Sequence, residues 1–485
     1  MVKMHLLQYK KIFVWGTGYY LGLYAEVIPK EICGYIDNDP DKQGTVIGNK
    51  PIISPEAFIE NNPDEKDTLI IVCIGRFEPV FEQICELGNY AAVFVEDYAF
   101  VLDAYNSIEE VSHVDILDEG SPNTILSVAG TQALLMVNGC KRFIDAQVRI
   151  LNDNGYRSVE IAPIRFISDG IREVDLLAIR FNGVFLGTVS LKDLIGSISV
   201  FSGIILHSLY YDHSFMNYLV ERIDSEKPVL YYAHDYYCVC TNRFLYNGDV
   251  TCIGPDFQLK CCDCDCYEKQ VELRASHRDL FCKKNVKVIV PSQDMMERLK
   301  TVYRFMDFFV VPHLKYSILH NPNPCQNVLR VAFLGAMSSI KGWELFERLC
   351  IDCKNSYDFY YYGNTNRSLP ENVIYKKTSL DLGCGMAEGL KKNDIDIACV
   401  MSVWPETYGY TLFEALEAGC YIVTTNKSGN VCRTVKELGC GSVFEDYEEM
   451  LKWFNDKDRM VEDIINHRTS ISRVVDNDEF LKLLR

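Results

Sequence analysis

The sequence predicts an α/β chain assembled from several parallel-sheet units of Rossmann-like type. Three observations carry that reading. Short, strongly apolar strands recur along the chain, and helix-length segments separate them. Glycines close several of these strands, as in Gly16-Thr17-Gly18, Gly335 and Gly363. With 485 residues, 48% of them hydrophobic and 12% aromatic, the chain can bury several separate cores.

The first unit is expected over residues 1–118. Strands are predicted at 11–15, 32–36, 68–74 and 91–95, with the turn Gly16-Thr17-Gly18 after the first and Asp37 at the end of the second. Gly16 and Gly18 permit a tight turn and Asp37 could reach a ribose, which makes a loose dinucleotide fingerprint. A purely structural α/β module accounts for the same residues equally well. Residues 103–123 carry six acidic side chains and end in Gly120-Ser121-Pro122-Asn123, the pattern of a linker.

A second unit is expected over 123–315. It begins with a strand at 124–128 and a helix near 140–154 closed by Gly155. A hairpin at Asn182-Gly183 follows, then strands at 203–206, 229–233 and 286–290. The segment 312–327, with Asn321-Pro322-Asn323-Pro324, reads as the hinge to a third unit over 328–460. There the strands are predicted at 329–334, 357–362, 395–400 and 421–425, with a helix at 409–418 and a helical segment over 461–485.

Charge and cysteine usage narrow the function classes. A formal net charge of −18 argues against a nucleic-acid partner, because phosphate backbones are bound by surplus Lys and Arg. The most apolar stretch, 198–206, has the length of a buried strand, so no spanning helix is expected. Leu6-Leu7 is too short for the apolar core of a signal peptide, and 20 scattered cysteines suit reduced thiols, so a cytoplasmic location is expected. Cys261 and Cys264 have zinc-ligand spacing, and Cys252 or Cys240 could complete a four-sulfur site. A loop of ordinary thiols is the competing account.

The chemistry concentrates between residues 333 and 435. The strand ending in Phe333-Leu334-Gly335 and the step Lys341-Gly342 form a strand, turn and helix start suited to cradling phosphate. Further on, Pro405-Glu406-Thr407-Tyr408-Gly409-Tyr410 leads into a helix containing Glu414, eight residues after Glu406. Two carboxylates around a helix start can accept bonds from sugar and ribose hydroxyls. Lys341 offers a cation, and the backbone N–H groups of Tyr408, Gly409 and Tyr410 offer dipoles for a diphosphate. Asp394 and Asp396 could suggest a two-carboxylate glycosidase, but they flank Ile395 before a buried strand and are expected to be solvated loop residues.

Over roughly 328–455 these motifs resemble the retaining glycosyltransferases of family 4. The resemblance implies the GT-B fold: two Rossmann-like domains facing across a cleft, here with an additional N-terminal Rossmann-like domain. It implies transfer of a sugar from a nucleotide-diphosphate sugar to a glycan or lipid-linked acceptor, in bacterial surface polysaccharide synthesis. By resemblance Glu406 holds a hexose hydroxyl and Glu414 the ribose, while Gly335 and Gly363 line the donor site. His234, at the end of its strand in His234-Asp235, lies beside the transferred sugar, with His207 a weaker alternative. The departing phosphate oxygen takes the acceptor proton, so no cofactor is required for transfer.

One departure matters. Most members place an arginine after the glycine that ends the first strand, and here Ala336 follows Gly335. Lys376, Lys377 and Arg433 are candidates to replace that cation. The loss also motivates a rival, a non-catalytic nucleotide-sugar binder. The N-terminal unit resembles the small domains attached to bacterial sugar O-acetyltransferases. An NAD-dependent oxidoreductase is disfavoured, since no Tyr-x-x-x-Lys pair follows within that unit. Contact with the inner membrane face is left open, since an acidic chain can still present a local basic and apolar strip.

Overall fold

The computed structural model describes residues 9–62, 66–74, 78–99, 123–130, 133–134, 139–168, 171–173, 176–208, 213–247, 250–251, 267–319, 329–363, 368–377 and 385–485. The chain divides into two compact units, Met1–Lys227 and Pro228–Arg485. Both are mixed α/β structures; parallel strand pairing dominates the second, while the first mixes parallel and antiparallel pairs. No described helix is long and apolar enough to cross a membrane.

The first unit contains β1 (Lys11–Trp15), β2 (Gly34–Ile36), β3 (Val46–Ile47), β4 (Lys50–Ile53), β5 (Thr68–Val72) and β6 (Ala91–Phe94). After these come β7 (Thr124–Val128), β8 (Arg157–Pro163), β9 (Phe166–Ser168), β10 (Ile171–Glu173), β11 (Leu176–Phe181), β12 (Val184–Ser190) and β13 (Gly203–His207). One sheet has the order β10-β9-β6-β5-β1-β2-β4-β3. Its centre is parallel, with β1 between β2 and β5, and its central strands β1, β5 and β6 are largely buried apolar runs. Ser54 caps the helix Pro55–Asn61, with proline at its first position where no donor is needed.

The second group in this unit runs β12-β11-β8-β7-β13. The helix Gly139–Asp153 ends at Gly155, whose φ of +79° supplies the left-handed turn predicted from its sequence position. Asn182 and Gly183, with φ of 48° and 83°, join β11 to β12 as the predicted two-residue hairpin. Strands β9 and β10 were not predicted from the sequence, although their residues fall within the expected 123–315 unit. They extend the first sheet, β9 pairing antiparallel with β6.

The second unit contains β14 (Val229–Tyr232), β15 (Tyr246–Asn247), β16 (Val250–Thr251), β17 (Val286–Val290), β18 (Phe308–Val310), β19 (Leu314–Leu319) and β20 (Arg330–Leu334). It continues with β21 (Asp358–Gly363), β22 (Val373–Lys377), β23 (Ile397–Cys399), β24 (Tyr421–Thr425), β25 (Gly441–Phe444) and β26 (Ser470–Asp476). Six of these form a wholly parallel sheet, β22-β21-β20-β23-β24-β25. That is the Rossmann strand order, 3-2-1-4-5-6. One face packs on the helix Trp343–Asp352 and the helices after β25, around Phe333, Trp343, Phe346 and Trp453. The other packs on the helix Tyr410–Ala418, around Leu334, Tyr362, Leu412 and Leu416.

Two expectations are corrected here. The segment 461–485 is not helical throughout: its helix stops at His467, and β26 then pairs antiparallel with β19. The segment Ser470–Asp476, with Ile471, Val474 and Val475, finds a strand partner, Leu314–Leu319, far earlier in the chain, which local pattern does not announce. Asp396 is not a solvated loop residue but only 2% exposed. Its carboxylate accepts from Arg468 Nη1 at 3.3 Å and from the Arg330 backbone N–H at 3.1 Å. Asp394 does face solvent, 3.3 Å from Arg330.

Candidate functional site

In the six-stranded sheet β20 lies between β21 and β23, and the chain leaves β20 for a helix on one face and β23 for a helix on the other. Their carboxyl ends open a crevice at this switch point, the usual ligand position of such sheets. The loop after β20 and the loop after β23 meet there, with the Val403 N–H donating to Ile340 O at 3.0 Å. Gly335 ends the first strand with φ of +114°, and Gly363 ends β21. Lys341 sits on a short 3-10 turn, Ser339–Lys341, followed by Gly342 in the left-handed region.

Lys341 and Glu406, 65 residues apart in sequence, form an ion pair across the crevice. The carboxylate also accepts from Ser402 Oγ at 2.5 Å. Glu406 is 7% exposed and Ser402 1%, whereas about a third of the lysine side chain is open, so the cation is the reachable member. The Lys341 ammonium lies 5.5 Å from the centre of the Trp404 ring, whose other contacts include Phe244 edge-on at 4.9 Å.

The loop carrying Glu406 is tightly held. The Asn430 backbone N–H donates to Glu406 O at 2.9 Å, and Asn430 Nδ2 donates to Tyr408 O at 2.8 Å. The Tyr408 hydroxyl accepts from the Leu314 N–H at 3.0 Å. Gly409, with φ of +85°, starts the helix Tyr410–Ala418, and no side chain caps that helix N-terminus. A β-carbon on Gly409 would lie 2.7 Å from Val431 Cγ2, so the turn has room for glycine only. Glu414 is half-buried on the same helix, one turn in.

His234 follows β14, and its carbonyl accepts from Thr407 Oγ1 at 2.7 Å, next to Glu406. Its ring stacks on Tyr232, 5.9 Å away and tilted by 12°, and also lies 5.9 Å from His313. Burial pulls its pKa down to about 4, so the imidazole is neutral at physiological pH. His313 in turn stacks on Tyr410 at 5.5 Å and meets Tyr408 at 4.5 Å. The structure therefore brings Lys341, Glu406, His234, Tyr408, Gly409 and Tyr410 into one neighbourhood. Sequence reasoning missed Ser402, Trp404, Thr407 and His313. The serine and tryptophan stand in the same loop as Glu406 and were discoverable by proximity, but His313 had no local signal.

The remaining candidates separate. Arg433 is ion-paired with Glu297 and Glu437, at 2.8 and 2.7 Å, and so is occupied on its own surface. Lys376 and Lys377 end β22, with Lys376 Nζ 6.0 Å from the Tyr360 ring. His207 is 1% exposed at the end of β13 and lies 3.1 Å from Ser127 Oγ. In the first unit, Gly16 has φ of +106°, and a β-carbon there would lie 2.6 Å from Cys73 O. Asp37 accepts from the Thr17 N–H at 2.9 Å and from the Thr17 hydroxyl, and Lys42 Nζ lies 3.2 Å away. Burial alone would raise its pKa, but these hydrogen bonds outweigh burial and hold it below the ordinary carboxylate value. Its carboxylate thus pins the glycine turn from within.

Cys252, Cys261 and Cys264 lie outside the described residues, while Cys240 is buried. Among the described residues no cluster of three or more His, Cys, Asp or Glu is arranged to hold a metal ion.

The site so defined is a switch-point crevice of a doubly wound sheet, furnished with a lysine, a paired carboxylate and a helix start. Residues 388–467, which include Glu406 and the helix after it, match the family model for glycosyl transferases group 1. No curated protein matches the chain. Among solved structures it is similar to sucrose-phosphate synthase from Thermosynechococcus elongatus, at 11% identity over 71% of this chain and 91% of that one, with a TM-score of 0.47. It is also similar to a glycosyltransferase from Rickettsia africae, at 14% identity over 75% and 95% of the two chains and a TM-score of 0.44. HepE of Anabaena, solved with UDP, gives 11% identity over 71% and 93%, also at a TM-score of 0.44.

Proposed function

We propose that the protein is a retaining glycosyltransferase that moves a sugar from a nucleotide-diphosphate sugar to a glycan or lipid-linked acceptor. The Lys341–Glu406 pair at the β20/β23 switch point, inside or beside the segment matching glycosyl transferases group 1, carries this reading. When the anomeric bond breaks, negative charge grows on the leaving diphosphate. Lys341 would turn from Glu406 to that diphosphate, and the uncapped helix start at Tyr408–Tyr410 would add its dipole. Glu406, released, would accept a hydroxyl of the sugar, and neutral His234 would stand beside it. Glu414 would take the ribose. The C1–O bond to phosphate breaks, a bond from C1 to the acceptor oxygen forms, and the acceptor proton passes to the departing phosphate oxygen. No cofactor enters these steps. Polysaccharide synthesis, a cytoplasmic location with peripheral membrane contact, and a nucleotide-sugar or docking role for the N-terminal unit complete the proposal.

A panel of nucleotide sugars tested by thermal shift identifies the donor, since a ligand bound only by the folded state raises its melting temperature. With that donor, Glu406→Gln should lower turnover about 100-fold or more while circular dichroism stays native. Turnover equal to wild type would remove Glu406 from the reaction. Ala336 favours one second reading, a binder that holds the donor without turnover; a donor-induced melting shift without transfer or hydrolysis would select it.

A further inference from the structure

A cavity of about 510 Å³ opens over the carboxyl ends of β24 and β25, a volume in the range of small-molecule sites. Its walls include Gly342, Glu344, Val403, Thr425, Lys427 and Glu445. It therefore borders the two loops that carry Lys341 and Glu406. Thr425 Oγ1 donates to Ser402 O at 2.8 Å, and Ser402 Oγ donates to Glu406 Oε1 at 2.5 Å, so two hydrogen bonds connect the cavity wall to the crevice carboxylate.

The polar groups define the ligand. Among the described residues, Lys427 Nζ and the Glu445 carboxylate form no hydrogen bond or ion pair, although both residues are exposed at the cavity. Glu344 Oε1 accepts from Ser339 Oγ at 2.7 Å, leaving its other oxygen for a second donor. A hydroxyl both donates and accepts, so neighbouring hydroxyls can bridge an ammonium and a carboxylate that do not touch each other. A phosphate would meet Glu344, Glu445 and Asp446 against the single Lys427, and charge repulsion disfavours it. The apolar surfaces of Leu345 and Met450 suit the C–H face of a sugar ring.

We propose that this cavity binds the saccharide acceptor, placing a neutral, polyhydroxylated ligand beside the loop that holds the transferred sugar. The inference rests on the transfer reading above. Saturation-transfer NMR with methyl α-glucoside and methyl N-acetyl-β-glucosaminide, run beside the donor thermal-shift panel, separates the two. Wild type should transfer saturation to at least one glycoside, and Lys427→Ala/Glu445→Ala should weaken that signal about fivefold or more while the donor-induced melting shift persists. A double variant that binds the glycoside as wild type does, or a wild type giving no signal with either glycoside, overturns the cavity assignment. No donor shift in wild type, with the glycoside signal intact, overturns the transfer reading instead.

Discussion

At the residue scale the Lys341–Glu406 pair is a contact suited to being broken. The ammonium is about a third open to water while the carboxylate is buried, so in the proposed transfer the lysine can turn to a diphosphate only as a sugar hydroxyl takes its place on Glu406. Ser402 keeps the glutamate oriented during the exchange. Both charged residues were legible as types at motif positions, but their contact was not, because it joins loops after two different strands. His234 carries a pH signature. Its folded pKa of about 4 lies below the ordinary histidine value of about 6.5, so between those values the unfolded chain binds the proton more readily. Acidification from pH 6.5 to 4 therefore removes stability, and none of this term is lost above pH 6.5. His234→Gln should flatten the fall of melting temperature across that window; a parallel fall in wild type and variant would show that the ring does not titrate so low.

At the element scale, one feature sets the crevice and another ties the far end of the sheet. Gly342 has φ of +79°, and a β-carbon there would lie 2.1 Å from Met401 O in the neighbouring loop. Gly342→Ala should cost about 2 kcal/mol or more in urea denaturation and abolish the donor-induced melting shift, since Lys341 would be displaced with its turn. Native stability and donor response would refute that role. On the opposite side, Arg468 binds Asp396, Ile395 O and Gly419 O, joining the segment before β26 to the sheet. Arg468→Met should cost about 3–5 kcal/mol, because Asp396 is left buried beside fewer donors. The gap should narrow at low pH, where protonation relieves the carboxylate, whose pKa burial already raises.

At the scale of the whole molecule, two Rossmann-like crevices coexist in one chain, and they differ in occupancy by the protein's own groups. In the first unit Asp37 is bound by Thr17 and Lys42, whereas in the second Lys341 is partly open. Hydrogen exchange with and without the donor should show protection around 335–342 and 400–410 and none around 11–37. Protection of the 11–37 region would assign nucleotide binding to the N-terminal sheet as well.

Apolar runs and their punctuation were enough to place most central strands and the two-residue hairpin, since buried parallel strands must be apolar and Asn182-Gly183 can adopt left-handed angles at little cost. The glycine, lysine and glutamate positions of the candidate site were readable for the same local reason. Tertiary structure alone decided the rest. It gave β9, β10 and β26 their sheet partners, buried Asp396 beside Arg468, and set Ser402, His313 and the Thr425 wall around Glu406. Those are contacts between residues far apart in the chain, where the stabilising partner is absent from the neighbouring sequence and only packing supplies it.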